Sequence, residues 1–194
     1  MGRKAGVAAA ETKAALLEAA ARVFARRGYD GASISEITSE AGLTSGAVYA
    51  HYTSKAELFN ATLETYAERD LDQLIGRAGA ELVDAITAVG ATIDRREQTE
   101  VSLLISAIVA ARNDPEVARL LIDGLAARER MFRGMVGSAQ DSNALADDLS
   151  PAAISRFCLM IAMGSLVVEA LGIEPVEHGE WTALIERLVA AIRT

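Results

Sequence analysis

GLTSGAVYAHYTSKAELF, residues 42–59, is the stretch of the sequence that decides the fold. Gly42 permits a sharp turn after a preceding short helix, because glycine readily adopts the left-handed conformation found at helix ends. Thr44 or Ser45 can then cap a further short helix that runs through Tyr52. Two short helices joined by a turn of this kind predict a helix-turn-helix unit.

Helices are also predicted on both sides of this unit. Thr12 can cap a first helix that ends at Gly28. A Ser followed three residues later by Glu, the capping-box pattern, opens both the second helix at Ser33 and the fourth at Ser54. The start of the chain is therefore predicted to hold three short helices followed by a longer one.

The remainder of the sequence predicts longer helices, because apolar residues recur at spacings of three and four. Pro115 suits the first turn of a seventh helix, and Ser150 followed by proline suits the start of an eighth. Between them, the polar segment 137–150 is predicted to be a loop, and residues 181–192 are predicted to form a ninth helix.

The predicted fold class is all-α, with about nine helices in two domains. A three-helix helix-turn-helix domain is expected at residues 1–53, and a larger helical domain at 54–194, with the helix near 54–75 as the link. The length of 194 residues is sufficient for two small domains with their own cores.

The composition is that of an ordinary globular protein, with 51% hydrophobic and 24% charged residues. No run reaches the roughly 18 uncharged apolar residues of a spanning helix. No secretory signal is apparent, and the one cysteine, Cys158, cannot form an internal disulfide. These features predict a cytoplasmic protein without a membrane partner.

The charge is unevenly distributed along the chain. Residues 1–55 contain seven Lys/Arg and five Asp/Glu, which gives this segment a net charge of +2. The rest of the chain has a net charge of -10, so the whole protein has a net charge of -8. A mildly basic end within an acidic protein is compatible with binding a polyanion.

The third helix is predicted to have one buried and one exposed face. Val48 and Tyr52 lie one turn apart and can pack against the first two helices, whereas Tyr49 points elsewhere among small residues. His51 and Lys55 follow at the edge where a DNA phosphate would lie if the helix entered a major groove. The exposed face therefore suggests DNA binding, although an exposed helix with a tyrosine is equally suited to binding a protein.

Several short motifs, in order and spacing, resemble the N-terminal signature of the tetracycline-repressor (TetR) family of bacterial regulators. They are Gly28-Tyr29, Ala32-Ser33-Ile34, Ile37, Ala41-Gly42-Leu43, Gly46-Ala47-Val48-Tyr49, His51-Tyr52 and Ser54-Lys55-Ala56-Glu57-Leu58-Phe59. The resemblance covers about a quarter of the chain. It implies a homodimer whose recognition helices bind successive major grooves of a near-palindromic operator, most often as a repressor released by a small molecule.

The resemblance also implies which residues contact base edges or phosphates. They are Ser33, Thr44, Ser45, Gly46, Tyr49, His51 and Lys55. Many members carry Lys or Arg where this chain has Ser45, so base recognition by this position is in doubt. Arg3 and Lys4 could supply the missing charge, although they fit a solvated tail equally well.

In the larger domain, the resemblance implies dimerisation and binding of a small inducer. The eighth helix is apolar nearly all round, which is expected of a helix buried between its own domain and a partner. The predicted dimer interface consists of Ala162, Gly164, Ser165, Trp181, Leu184, Ile185 and Leu188. The alternative is that the last two helices complete the core of one subunit.

An apolar or amphipathic inducer, for instance one with an acyl chain, would suit a cavity among adaptable apolar side chains. The candidates are Leu104, Ile105, Ile108, Met131, Met135, Phe157, Met160 and Met163. Each of these residues is also compatible with an ordinary place in the core.

No catalytic, nucleotide-binding or zinc motif is present in the sequence, so neither an enzyme, nor a cofactor, nor a metal site is expected. Two alternatives to a ligand-released repressor stay open: a DNA-binding protein that needs no ligand, and a helical adaptor that binds protein through Tyr49.

Overall fold

The structure, a computed structural model, describes residues 2–78, 82–92 and 97–193. In these ranges every regular element is an α-helix, which confirms the predicted all-α class and the number of about nine helices. In chain order the helices are α1 (Gly2–Gly31), α2 (Ile34–Ala41), α3 (Ser45–Tyr49), α4 (Lys55–Ala78), α5 (Leu82–Thr92), α6 (Gln98–Ala110), α7 (Pro115–Asp141), α8 (Pro151–Ala170) and α9 (His178–Ala190).

The chain divides into two compact units, each formed by two segments. Unit 1 consists of Met1–Ala67 and Glu97–Ile122, and unit 2 consists of Glu68–Arg96 and Asp123–Thr194. Packing therefore groups α6 with the N-terminal helices. The functional boundary expected after residue 53 stays a prediction.

The core of unit 1 is formed around three aromatic rings. Phe24 of α1 and Phe59 of α4 are fully buried, with ring centroids 4.6 Å apart. The Tyr29 ring lies 5.1 Å from that of Phe59. The helical spacing of the apolar residues in α1 brings Leu16 and Val23 into the same core. Aromatic packing thus joins α1 to the start of α4.

The first helix ends its regular course at Gly28, as predicted. Gly28 has φ 71° and ψ 172°, which is non-helical backbone inside the span of α1. A side chain at this φ would be strained, so glycine is required here. At the other end the prediction was wrong, because α1 begins at Gly2, well before Thr12.

The predicted caps of α2 and α4 are confirmed. The hydroxyl of Ser33 accepts a hydrogen bond from the backbone N–H of Glu36 at 3.1 Å, and Ser54 accepts one from Glu57 at 3.0 Å. Gly42 ends α2 with φ 65°, in the left-handed region. These caps fix the helix boundaries locally, which is why the sequence predicts them well.

The third helix is shorter than predicted. It ends at Tyr49, and a turn carries the chain to Tyr52, whose N–H donates to the carbonyl of Val48 at 2.9 Å. Thr44 occupies the N-cap position of α3 with extended backbone, but its side chain makes no capping hydrogen bond.

Unit 2 has a separate core, in which α5 packs closely against α9. Ile185 of α9 is buried there, and a Cβ added at Gly90 of α5 would lie 2.6 Å from its Cγ2 atom. The indole N–H of Trp181 donates to the carbonyl of Gly90 at 2.7 Å. The absence of a side chain at Gly90 thus permits the close approach of the two helices.

The segment 137–150, predicted to be a loop, is partly helical. Helix α7 continues to Asp141 because Val136 and Ala139 are buried in the core of unit 2. The true turn follows, with Asn143 at φ 63°. Ser150 then caps α8 by accepting from the N–H of Ala153 at 3.0 Å, as its sequence predicted.

Candidate nucleic-acid interface

Helix α3 separates a buried from an exposed face in the way that its sequence predicts. Val48 and Tyr52 are 1% and 8% exposed and belong to the core of unit 1, whereas Tyr49 is 60% exposed. The other predicted contact residues on this face are also exposed: Thr44, Ser45, Gly46 and His51. The result is a short helix whose surface consists of small polar groups around one protruding phenol.

This surface has the properties that close approach to another molecule requires. Gly46 and the alanines beside it add little bulk, so the helix backbone can come near a groove floor or wall. The hydroxyl of Thr44 is not used for capping, so it can donate to an external acceptor. The Ser33 oxygen accepts the capping hydrogen bond of α2, and its hydroxyl also shares a 3.0 Å hydrogen bond with Ser35 in which either residue can be the donor.

Three of the basic residues near the N-terminus are paired with acids on α2. Arg22 lies 2.7 Å from Glu40, Arg26 lies 3.0 Å from Glu40 and 3.2 Å from Glu36, and Arg27 lies 3.3 Å from Glu36. Hydrogen bonds from these guanidinium groups lower the pKa of both carboxyls. The network ties α1 to α2, and it reduces the positive charge that this end of the chain presents.

The position of Lys55 differs from the expected phosphate contact. Its ammonium group donates to the backbone carbonyls of Tyr29 at 2.9 Å and Ala32 at 3.3 Å. The same nitrogen lies 4.3 Å from the centroid of the Tyr29 ring. In this structure Lys55 therefore binds the end of α1 within its own unit, and does not project as a free cation.

Sequence reasoning missed the role of Tyr29. Its phenol donates to Asp114 at 2.8 Å, and its backbone N–H donates to the hydroxyl of Ser106 at 2.7 Å. Burial and the hydrogen bond to Asp114 raise the pKa of the phenol, and that hydrogen bond lowers the pKa of the Asp114 carboxyl. No local pattern reveals these contacts, because the partners lie far along the chain.

A second exposed surface lies on α8. Phe157, Met160, Val167 and Leu171 are all exposed and recur with Gly164 at spacings of three and four, which places them on one helix face. Within the described part of the chain, α8 is the one helix long and apolar enough to cross a membrane by length and composition. Only 17% of the residues in the apolar stretch of α8 are buried.

The residues predicted for the dimer interface differ in their burial within unit 2, and their role in a dimer stays a prediction. Ile185 is buried in the core of unit 2, and Trp181 packs against that core while its indole binds Gly90. Ala162 and Ser165 are partly buried, and the Ser165 hydroxyl donates to the Ala162 carbonyl at 2.9 Å. The other three predicted interface residues are exposed: Gly164, Leu184 and Leu188.

The residues predicted to line a ligand cavity are distributed over both units. Leu104, Ile105 and Ile108 lie in unit 1, and the other five lie in unit 2. Phe157 and Met160 are more than half exposed, which does not fit the lining of an enclosed cavity within one chain. The remaining members are Met131, which is exposed, and Met135 and Met163, which are partly buried. Their shared cavity stays a prediction.

The described residues offer little for metal or thiol chemistry. No group of three His, Cys, Asp or Glu side chains in that part of the chain could hold a metal ion. Burial raises the pKa of the Cys158 thiol, which favours its protonated form.

The geometry defines a helical protein with an N-terminal helix-turn-helix formed by α2 and α3. One face of α3 is exposed to solvent. Residues 16–62 match the family model described as bacterial regulatory proteins, tetR family. The helix-turn-helix region of this chain is therefore similar to that of the TetR family.

Curated relatives are similar to this chain over segments of 61 and 68 residues. The regulator TtgR of Pseudomonas putida is 41% identical over 68 residues, which are 35% of this chain and 32% of TtgR. The repressor BepR of Brucella suis is 39% identical over 61 residues, which are 31% of this chain and 29% of BepR. This chain thus matches about a third of the length of these relatives.

The fold is also similar to solved structures over most of the chain. The structure of the fatty acid degradation regulator FadR from Bacillus halodurans matches with a TM-score of 0.70 at 14% identity, over 91% of this chain and 93% of FadR. At this identity the similarity concerns the fold alone.

Proposed function

We propose that the protein is a dimeric DNA-binding transcriptional regulator, and that it acts as a repressor released from its operator by a small molecule. The observation that carries the proposal is the surface of α3, where Tyr49 protrudes among small residues while Val48 and Tyr52 anchor the helix from behind. A helix presented in this way can enter the major groove, whose width admits an α-helix.

The contacts to DNA would come mainly from neutral groups. Tyr49 can donate to a phosphate or lie against a thymine methyl, and Thr44, Ser45 and His51 offer further donors around it. Because three arginines of α1 are paired with glutamates, they add little attraction of their own. In this proposal, the orientation of α3 and its fit to the groove contribute more to operator binding than charge does.

Dimerisation would occur through the exposed apolar faces of α8 and α9. Phe157, Met160, Val167 and Leu171 form a stripe on α8, and Leu184 and Leu188 lie one turn apart on α9. Such side chains are costly to leave in water, at about 25 cal/mol per Å² of apolar surface. A second copy of the chain is the proposed partner, because symmetric dimers present the same patch twice.

The inducer is proposed to be apolar or amphipathic. Met135 and Met163, the partly buried methionines among the candidate residues, can adapt to different shapes, which suits a flexible apolar ligand. The name of FadR, a regulator of fatty acid degradation in another organism, is in keeping with an acyl chain as one candidate.

The proposed mechanism is a change in the spacing of the two DNA-binding heads. Binding to successive major grooves requires heads about 34–36 Å apart. Helix α4 begins directly after the helix-turn-helix and continues beyond Ala67, where unit 1 gives way to unit 2 along the chain. A ligand releases the operator only if it binds the other spacing more tightly, and such couplings are typically about 1–3 kcal/mol.

Selecting bound fragments from genomic DNA and titrating candidate ligands against the best fragment tests the whole proposal. Binding that is weakened by salt and by at least one ligand supports it. Salt-dependent binding with no ligand effect would favour a ligand-independent DNA-binding protein. Failure to select any fragment, together with capture of a protein through Tyr49, would favour the adaptor.

Tyr49→Ala is expected to weaken binding to the selected fragment by about tenfold or more, since a hydrogen bond to a charged group contributes about 1.5–3 kcal/mol. The salt dependence should not change, because the tyrosine is neutral and releases no counterion. Fluorescence anisotropy at several salt concentrations measures both quantities.

Tyr52→Phe is the control for this variant. The Tyr52 hydroxyl is buried and without a hydrogen-bond partner, so its removal should leave operator affinity unchanged. If Tyr49→Ala binds as tightly as Tyr52→Phe, the assignment of α3 as the DNA-binding surface is wrong.

A further inference from the structure

Lys55 connects the first residue of α4 to the turn between α1 and α2. Its ammonium group donates to the carbonyls of Tyr29 and Ala32, at 2.9 and 3.3 Å. These carbonyls lie beyond the break at Gly28, where the chain leaves the regular part of α1. Carbonyls at a helix end carry partial negative charge, so a cation is well placed there.

Tyr29 is itself held from other directions. Its phenol binds Asp114 at 2.8 Å, its N–H binds Ser106 at 2.7 Å, and its ring packs 5.1 Å from that of Phe59. The carbonyl that Lys55 contacts thus belongs to a residue with little freedom to move. Lys55 consequently joins the α1–α2 turn to a residue that belongs to the core of unit 1.

The helix-turn-helix lies between the two ends that this contact joins. Helices α2 and α3 follow the α1–α2 turn, and the chain then reaches Lys55 through the short segment 50–54. Holding the turn and the start of α4 together closes this part of the chain into a loop. The contact is therefore placed to influence the orientation of α3, which Val48 and Tyr52 also hold from the core side.

We infer that Lys55 is a positioning residue for DNA binding, which sets the orientation of α3 through the Tyr29 and Ala32 carbonyls, and is not a phosphate contact. The inference rests on the proposed function. The family resemblance would assign Lys55 to a phosphate contact. The two roles, phosphate contact and positioning residue, predict a different dependence of operator affinity on salt.

Lys55→Met tests the inference, because methionine keeps an apolar stem and removes the ammonium group. Operator affinity is expected to fall by about tenfold or more, because without these charge-assisted hydrogen bonds α3 is no longer held in its binding orientation. The slope of log affinity against log salt should equal that of the wild type. Loss of a phosphate contact would instead reduce the slope by about 0.9.

Hydrogen exchange of the free protein gives an independent readout. Amides of residues 28–34 should exchange faster in Lys55→Met than in the wild type, because the turn loses its anchor. Lys13→Met is the matched control: it removes the same charge from an exposed position on α1, so exchange in 28–34 should be unchanged.

Lys55→Gln keeps the test decisive if the methionine variant does not fold. A neutral amide can still donate two hydrogen bonds to carbonyls, so this variant should recover part of the operator affinity with an unchanged slope. In Lys55→Gln, the slope of log affinity against log salt could instead fall by about 0.9 while the amides of residues 28–34 exchange as in the wild type. That result would show that Lys55 is a phosphate contact and would overturn the inference.

The two levels of the proposal fail in different ways. Wild-type protein that binds no selected fragment would overturn the proposed function, and the inference with it. A normal wild-type operator complex with a reduced slope in the Lys55 variants would overturn the inference alone.

Discussion

Replacing Phe59 by alanine is expected to lower the free energy of unfolding by about 3–5 kcal/mol, the range for buried phenylalanines. Phe59 is fully buried, and its ring packs 4.6 Å from that of Phe24 and 5.1 Å from that of Tyr29. Its removal would leave a cavity at the junction of α1 and α4. Urea denaturation followed by circular dichroism measures the change.

Tyr49→Ala provides the comparison for this stability measurement. It removes an aromatic ring of similar size from the same unit, but from a surface position, so stability should change by less than about 0.5 kcal/mol. Equal losses in the two variants would show that the aromatic cluster is not the core of unit 1.

Gly164→Asp is expected to split the dimer, with a loss of about 3–5 kcal/mol or more from burying an unpaired charge. Among the described residues, no atom lies within 4 Å of a Cβ added at Gly164, so the subunit itself should tolerate the side chain. In a symmetric interface the charge would appear twice among apolar residues. Operator binding should be lost as well, because one head alone cannot engage two half-sites.

Gly134→Asp on α7 is the matched control. This glycine is also exposed, and no atom of the described part of the chain lies within 4 Å of a Cβ added there. It lies between Arg133 and Met135, away from the α8 stripe in sequence. Sedimentation velocity should give a monomer for Gly164→Asp and a dimer for Gly134→Asp. A dimer in both would reject α8 as the interface.

Features that depend on near neighbours in the chain could be predicted from the sequence. The caps at Ser33 and Ser54, the break at Gly28 and the turn at Gly42 each involve residues within one helical turn. The two faces of α3 follow from spacing alone. The helix-turn-helix and its exposed surface were therefore accessible from the sequence.

Contacts between distant parts of the chain could not be predicted in the same way. Tyr29 and Asp114 are 85 positions apart, and Trp181 and Gly90 are 91 apart. Lys55 looked like a surface cation because nothing near it in sequence indicates which carbonyls it binds. Such contacts require the tertiary fold.

Periodicity also leaves open which surface an apolar residue covers. In α9 it groups Trp181, Leu184, Ile185 and Leu188 as apolar, but the structure directs Ile185 inward and leaves Leu184 exposed. In α8, apolar residues lie on all sides of the helix, so the sequence does not indicate which face is exposed. The sequence does not predict the end of α7, because Gly137 and Ser138 are typical of a loop. In the structure the helix continues to Asp141, and Val136 and Ala139 beside these two residues are buried.

The central claim is that two copies of the α3 surface bind DNA together, and a footprint on the selected genomic fragment tests it most directly. The predicted result is protection of two related half-sites whose centres lie one helical turn apart, about 10–10.5 base pairs, and loss of both in Tyr49→Ala. Protection of a single site, or a footprint that Tyr49→Ala leaves intact, would contradict the claim.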